Sequence, residues 1–216
     1  MNLLIVGATG QIGRHLTTQA LDAGHAVTAF GRSAAQLPPR PRMTPFAGDV
    51  TEAADVERAL SSGTHDAVVA TFGAPLNFDS LTHVPTVTAE GTANLLAAMR
   101  AHGPKRLVCM TMIGAHESRG HGRAVFDKVI QPVMLGRITA DRERQEDLVR
   151  AADHLAWTIV RPTELADGER TGEYRVYEDL TGVRADTIAR ANVADFLLRC
   201  ATDAGASVGH TYLITD

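Results

Sequence analysis

The sequence predicts an α/β chain built on a doubly wound, mostly parallel sheet with helices on both faces. Three observations lead there. Short apolar runs alternate with helical patterns along all 216 residues. The runs carry no polar alternation, as expected of strands buried on both sides. A glycine-spaced turn, Gly7-Ala-Thr-Gly10-Gln-Ile-Gly13, separates the first run from the first helical pattern.

Leu3 to Val6 reads as the first strand. In the helix that follows, Ile12, Leu16, Gln19/Ala20 and Ala23 recur every three or four residues until Gly24 stops it. Ala26 to Phe30 reads as a second strand, and Pro38, Pro39, Pro41 and Pro45 break any helix beginning at Ser33. Thr44 to Ala47 leads into Gly48-Asp49 and a capped helix running from Thr51-Glu52 to Leu60. Ala67 to Thr71 is a buried strand, followed by a long helix from about Val87 to His102 that Gly103-Pro104 ends. Arg106 to Thr111 is the next strand.

Residues 113–130 show no clear period and read as a loop. Thr139 to Ala152 is helical, with a charged face in which Arg137, Arg142, Arg144 and Arg150 alternate with Asp141, Glu143, Glu146 and Asp147; its reading is a surface helix laced with i, i+4 pairs. Trp157 to Val160 is a strand closed by Arg161-Pro162, and Glu173 to Tyr177 alternates like an edge strand. A helix from Val193 to Ala201 and a strand from Thr211 to Ile214 follow. The whole reads as one domain over residues 1–216, with a small substrate-side segment at about 163–190.

Composition narrows the function. A formal net charge of −4 gives no ground for a nucleic-acid partner, and no apolar segment is long enough to span a membrane. The N-terminal run is too short for a secretory leader and lacks a basic start. Cys109 and Cys200 sit in apolar segments without metal-type spacing, which fits a reduced cytoplasmic compartment. Nothing in the composition sets an oligomeric state.

The glycine turn has the context of a Rossmann-type dinucleotide site. One glycine permits the tight turn, another lets the backbone approach a pyrophosphate, and the third brings helix and sheet close. Free N–H groups and the helix dipole then face the phosphates. Gly7, Thr9, Gly10, Gln11, Ile12 and Gly13 are therefore candidate cofactor residues. The second strand ends Phe30-Gly31-Arg32-Ser33, with no acid for a ribose 2′-hydroxyl. A guanidinium there suits a 2′-phosphate, so Arg32 favours NADP(H) over NAD(H).

GATGQIG, GDVTEAADVERAL, EGTANLLAAM, WTIVRPTEL and ANVADFLL…GHTYLITD together resemble the atypical short-chain dehydrogenase/reductases. The likeness is to the NAD(P)H-binding branch that includes biliverdin-IXβ/flavin reductase and NmrA-like proteins. It implies that Asp49 and Val50 flank the adenine and that Phe72, Gly73 and Ala74 line the cofactor. It also implies that Thr111, Pro162 and Thr163 border the nicotinamide.

The catalytic pattern departs from that family. Many of its reductases use Tyr-x-x-x-Lys, but the residues four on from Tyr174, Tyr177 and Tyr212 are Glu178, Thr181 and Asp216. The position matching the lysine is Arg142, which cannot act as an acid near neutral pH. Thr111 is the candidate catalytic hydroxyl, and the alternative is a residue that merely ends its strand. His116 and His121 are five apart around a glycine, the wrong spacing for a zinc helix, so no metal is expected.

Two functions follow. One is NADPH-dependent reduction of a flavin, quinone or similar conjugated acceptor, which dispenses with a dedicated acid. The other is an NADP(H)-sensing regulator without turnover. A fainter third is an isomerase or dehydratase. The apolar stretch from about Gly114 to Arg137 would form the acceptor pocket in the first case and a partner surface in the second.

Overall fold

The computed structural model describes residues 1–74, 77–78, 82–203 and 208–216. Among these, eight strands form one sheet. In chain order they are β1 (Asn2–Val6), β2 (Ala26–Gly31), β3 (Met43–Ala47), β4 (Ala67–Ala70), β5 (Arg106–Met110), β6 (Ala156–Pro162), β8 (Arg175–Tyr177) and β10 (His210–Thr215). Their order across the sheet is β3-β2-β1-β4-β5-β6-β10-β8. Every pairing is parallel except β10 with β8, which closes one edge antiparallel. The chain runs outward from β1 to β3 and then crosses back to β4. This places the reversal of direction between β1 and β4, where open parallel sheets bind their ligands.

Strand period two sorts the core. Leu3 and Ile5 of β1 pack with Ile12, Leu16 and Leu197 on one face. Leu4 and Val6 pack with Leu60, Leu95, Met99 and Val149 on the other. The first face is covered by α1 (Gln11–Asp22) and α5 (Arg190–Thr202). The second is covered by α2 (Ala53–Ser61), α3 (Val87–His102) and α4 (Gly136–Arg150). Pro45 is tolerated because β3 is an edge strand.

Several expectations need correcting. Residues 113–130 are not simply a loop. They contain a 3-10 turn, His116–Ser118, and the start of a π-type helix, Phe126–Leu135, which runs directly into α4. Pro132 lies inside it and supplies no N–H, and wide helical turns accommodate such a gap. Pro132 and the wide helical turn, which departs from the usual three-to-four-residue spacing, hid the helical period. The helix behind Asp49 begins at Ala53 after Glu52, with no side-chain cap; Asp49 instead accepts from Thr51 in the preceding turn. Arg161 and Pro162 belong to β6 itself. A second small sheet pairs β7 (Glu164–Ala166) with β9 (Thr187–Ala189) and brackets the segment from about 163 to 190.

The largest correction concerns the charged helix. On α4, Asp141, Arg142, Gln145 and Glu146 are all buried against the core. An i, i+4 pair does form, between Glu146 and Arg150 at 3.2 Å, but its carboxylate has no solvent exposure. Charge on a helix face signals solvent only when nothing across from it is polar.

Candidate cofactor cleft and the polar cluster beside it

A cleft of about 260 Å³ opens at the C-terminal ends of β1, β2 and β4. Gly7, Thr9, Gly10, Arg32, Asp49, Val50, Phe72 and Gly73 line it. Gly7 sits at φ +89°, where an L side chain is strained, and a Cβ there would come within 2.8 Å of the Phe72 amide nitrogen. At Gly13 a Cβ would collide with the Gly7 carbonyl oxygen and lie 2.9 Å from Ala8 Cα. That closeness seats α1 against β1 and leaves its first turn open toward the cleft. The Gly7 and Ala8 amides donate to the Phe30 carbonyl at 2.9 and 3.1 Å, which fixes the turn to β2.

Asp49 accepts from the Thr51 amide at 3.0 Å and from its hydroxyl at 2.8 Å. The Thr51 amide is the main influence holding the Asp49 carboxyl below the usual aspartate range; partial burial opposes it, and Arg32 adds a smaller pull downward. Val50 and Phe72 press on α3, where a Cβ on Gly91 would stand 2.8 Å from Val50 and 2.9 Å from Phe72. Val6, Phe30, Gly31, Gly48, Thr51, Thr71 and Val87 also line the cleft and were not singled out from sequence. Most belong to strand ends, and the parallel topology alone puts strand ends there.

The other sequence candidates are not among the residues that line this cleft. Gln11 begins α1 and is exposed, while Ile12 is in the core. Ala74 follows Gly73 beyond β4. Thr111, Pro162 and Thr163 come together at the ends of β5 and β6. The Thr111 amide donates to the Val160 carbonyl at 2.8 Å, and the Ile113 amide donates to Pro162 at 3.0 Å. Thr163 is 3% exposed.

Thr111 is 2% exposed, and its hydroxyl donates to Glu146 Oε1 at 2.7 Å. Glu146 is also held by Arg161, whose Nε donates to Oε1 at 2.8 Å and whose Nη2 donates to Oε2 at 2.5 Å. Arg161 Nη1 reaches Glu117 at 2.9 Å, toward solvent. Burial works against the Arg161 charge, but the two carboxylates outweigh it and raise its pKa. Asp141 on the same helix accepts from the Thr88 and Ala89 amides at 2.9 and 3.1 Å, supplying the start of α3 with an acceptor. The sequence did hold a signal for this cluster: Arg161 interrupts the apolar run of β6, and a charge on a central strand demands a buried partner.

Arg142 joins the cluster differently. Its Nη1 donates to the Met110 carbonyl at 3.1 Å and to Gln145 Oε1 at 2.7 Å. Burial lowers its pKa, with Cys109, Asp141 and Glu146 opposing. The three tyrosines stand elsewhere: Tyr174 donates to Asp195, Tyr212 lies against Phe196, and Tyr177 packs on the apolar cluster that contains Ile113 and Phe126. His116 contacts Glu143 and Asp147, and His121 contacts the Val183 carbonyl.

A doubly wound sheet with a glycine cradle at its switch point, walled by strand ends, defines a dinucleotide-binding protein of the Rossmann class. The chain belongs to the NAD(P)H-binding family, whose model matches residues 7–204. It is 32% identical over 111 residues to a 3-beta-hydroxysteroid dehydrogenase of Mycolicibacterium neoaurum, covering 49% of this chain and 30% of that protein. The chain thus spans about a third of the length of that relative. Among solved structures it is similar in fold to ChuY, described as an anaerobilin reductase of Escherichia coli, with a TM-score of 0.80, 21% identity and coverage of 100% and 97% of the two chains. A short-chain dehydrogenase/reductase of Veillonella parvula in complex with NADP matches with a TM-score of 0.80, 18% identity and coverage of 100% and 94%.

Proposed function

We propose that the protein is an NADPH-dependent oxidoreductase acting on a conjugated acceptor such as a flavin or quinone. The observation that carries this reading is the polar cluster at the ends of β5 and β6. The Thr111 hydroxyl proton is already given to Glu146, and by the family resemblance Arg142 takes the place of the lysine. A site with that equipment suits an acceptor that stores an electron pair by delocalisation and takes its proton from water.

The residues fit the cofactor, because the cradle at Gly7, Gly10 and Gly13 has backbone where side chains would stand. Amides of the turn and the first turn of α1 hold the pyrophosphate, Asp49 and Val50 bound the adenine, and Arg32 meets a 2′-phosphate. When bound, NADPH supplies the reducing equivalents. Pro162 and Thr163 limit the nicotinamide end, and Thr111 braces Glu146 behind it. The substrate is a small conjugated molecule, and the setting is the cytoplasm.

The test is oxidation of NADPH by the purified, metal-free protein with menadione or FMN, followed by the loss of reduced-nicotinamide absorbance. Tight NADPH binding without turnover on flavins, quinones or tetrapyrroles would favour the regulator instead. One observation supports that second reading: Val125, Val129 and Val133, spaced four apart, are 66%, 54% and 69% exposed. An apolar stripe on an exposed helix suits a protein partner.

A further inference from the structure

Arg142 projects from the buried face of α4 with 7% of its surface exposed. Both acceptors of its Nη1, the Met110 carbonyl and Gln145, are neutral. Gln145 is itself fixed by donating to Thr92 at 2.9 Å. The buried Nε has no hydrogen-bond partner. Nearby carboxylates are committed elsewhere: Asp141 to Thr88 and Ala89, and Glu146 to Thr111, Arg150 and Arg161. Among the described residues, Arg142 is therefore a buried cation without an ion-pair partner.

A guanidinium in that state is costly to fold around, and the cost calls for a use. Its position indicates one. A Cβ on Gly73 would overlap Arg142 Nη2 and lie 3.3 Å from Cζ. Gly73 lines the cofactor cleft at the end of β4, and the Met110 carbonyl is the end of β5. The missing side chain at Gly73 is what leaves room for the guanidinium directly behind the wall of the cleft, one glycine backbone away from its lining.

We propose that Arg142 is an anion-holding residue of the acceptor site, which therefore selects acceptors whose reduced form is an enolate, a phenolate or a deprotonated ring imide. This rests on the oxidoreductase reading above. The acceptor takes up one hydride, with both its electrons, from the reduced cofactor and gains one negative charge. The guanidinium holds the oxygen or ring nitrogen that carries the charge, and water supplies the neutralising proton afterwards. Arg142 serves as a fixed cation throughout and transfers no proton.

Lawsone, an enolate at neutral pH, and its uncharged methyl ether separate charge from shape. Calorimetric titration of each into protein saturated with NADP⁺ should show the enolate binding about ten-fold tighter or more, the scale of a charged hydrogen bond. Arg142→Met should abolish the preference, and Arg142→Lys should keep part of it. NADP⁺ affinity is measured in each variant first, so that every probe titration is run on protein saturated with cofactor. Equal binding of the two probes, no binding of either, or a preference that survives Arg142→Met overturns the proposal. If Arg142→Met does not fold, the parent protein and Arg142→Lys decide. Failure of the oxidoreductase reading looks different: no turnover, with the Arg142-dependent enolate preference intact.

Discussion

Glu146 and Arg161 form a two-pronged ion pair, 2.8 Å and 2.5 Å on its two arms, with neither side chain more than 1% exposed. It ties α4 to β6, and through the Thr111 hydroxyl it reaches the end of β5. Such a pair is worth little against well-packed apolar residues, but removing one partner strands the other charge.

Arg161→Met should therefore destabilise the protein by about 3–5 kcal/mol in urea unfolding. The double variant Arg161→Met/Glu146→Met should recover most of that loss. Equal losses in the single and double variants would mean the pair fixes something beyond its own charge.

Thr111→Val keeps shape and removes the donor to Glu146. Stability should fall by about 1–2 kcal/mol, and the rate with a flavin or quinone by about ten-fold. A rate loss of several orders of magnitude at unchanged stability would instead mark Thr111 as a proton donor to substrate.

Arg32→Ala should weaken NADPH binding by about 1.5–3 kcal/mol in calorimetry while leaving NADH nearly unchanged, because a 2′-phosphate is what the guanidinium recognises. Equal affinity of the parent protein for both cofactors would refute the NADP(H) preference.

Asp49 should titrate below an ordinary aspartate in carboxyl-resolved NMR, since the Thr51 amide and hydroxyl favour its charged form. A depressed folded pKa contributes stability above the unfolded value and loses it as pH falls through the folded one. The contribution of this turn is therefore present at neutral pH and disappears in the acid range, below the usual aspartate pKa. Thr51→Val should move the midpoint upward, and an unchanged midpoint would contradict the assignment.

Cys109 on β5 and Cys200 on α5 lie in separate core clusters on opposite faces of the sheet. Burial pushes the Cys109 thiol up to about 12 and Cys200 up to about 11. Neither should react with a maleimide at neutral pH until the protein unfolds, and mass spectrometry should find both free. Rapid labelling of the native protein would mean the core opens.

The sequence alone determined the parallel sheet and the glycine cradle, because these depend on local patterns: apolar runs, helical period and a glycine spacing set by backbone contact. Gly7, Gly13 and Arg32 could each be read from their neighbours in the chain, whereas Phe72 came from the family resemblance. The polar cluster could not. Arg142 and Glu146 look like solvent residues on a charged helix, and Arg161 looks like the end of a strand. Only packing α4 across β5 and β6 turns them into a buried pair and a buried cation, because burial of a charge depends on what stands opposite it, many residues away in sequence. The same holds for the helix at Phe126–Leu135, whose place is set by the third apolar cluster it packs on. Local chemistry wrote the cofactor cleft into the chain, and tertiary contact decided what lies behind its wall.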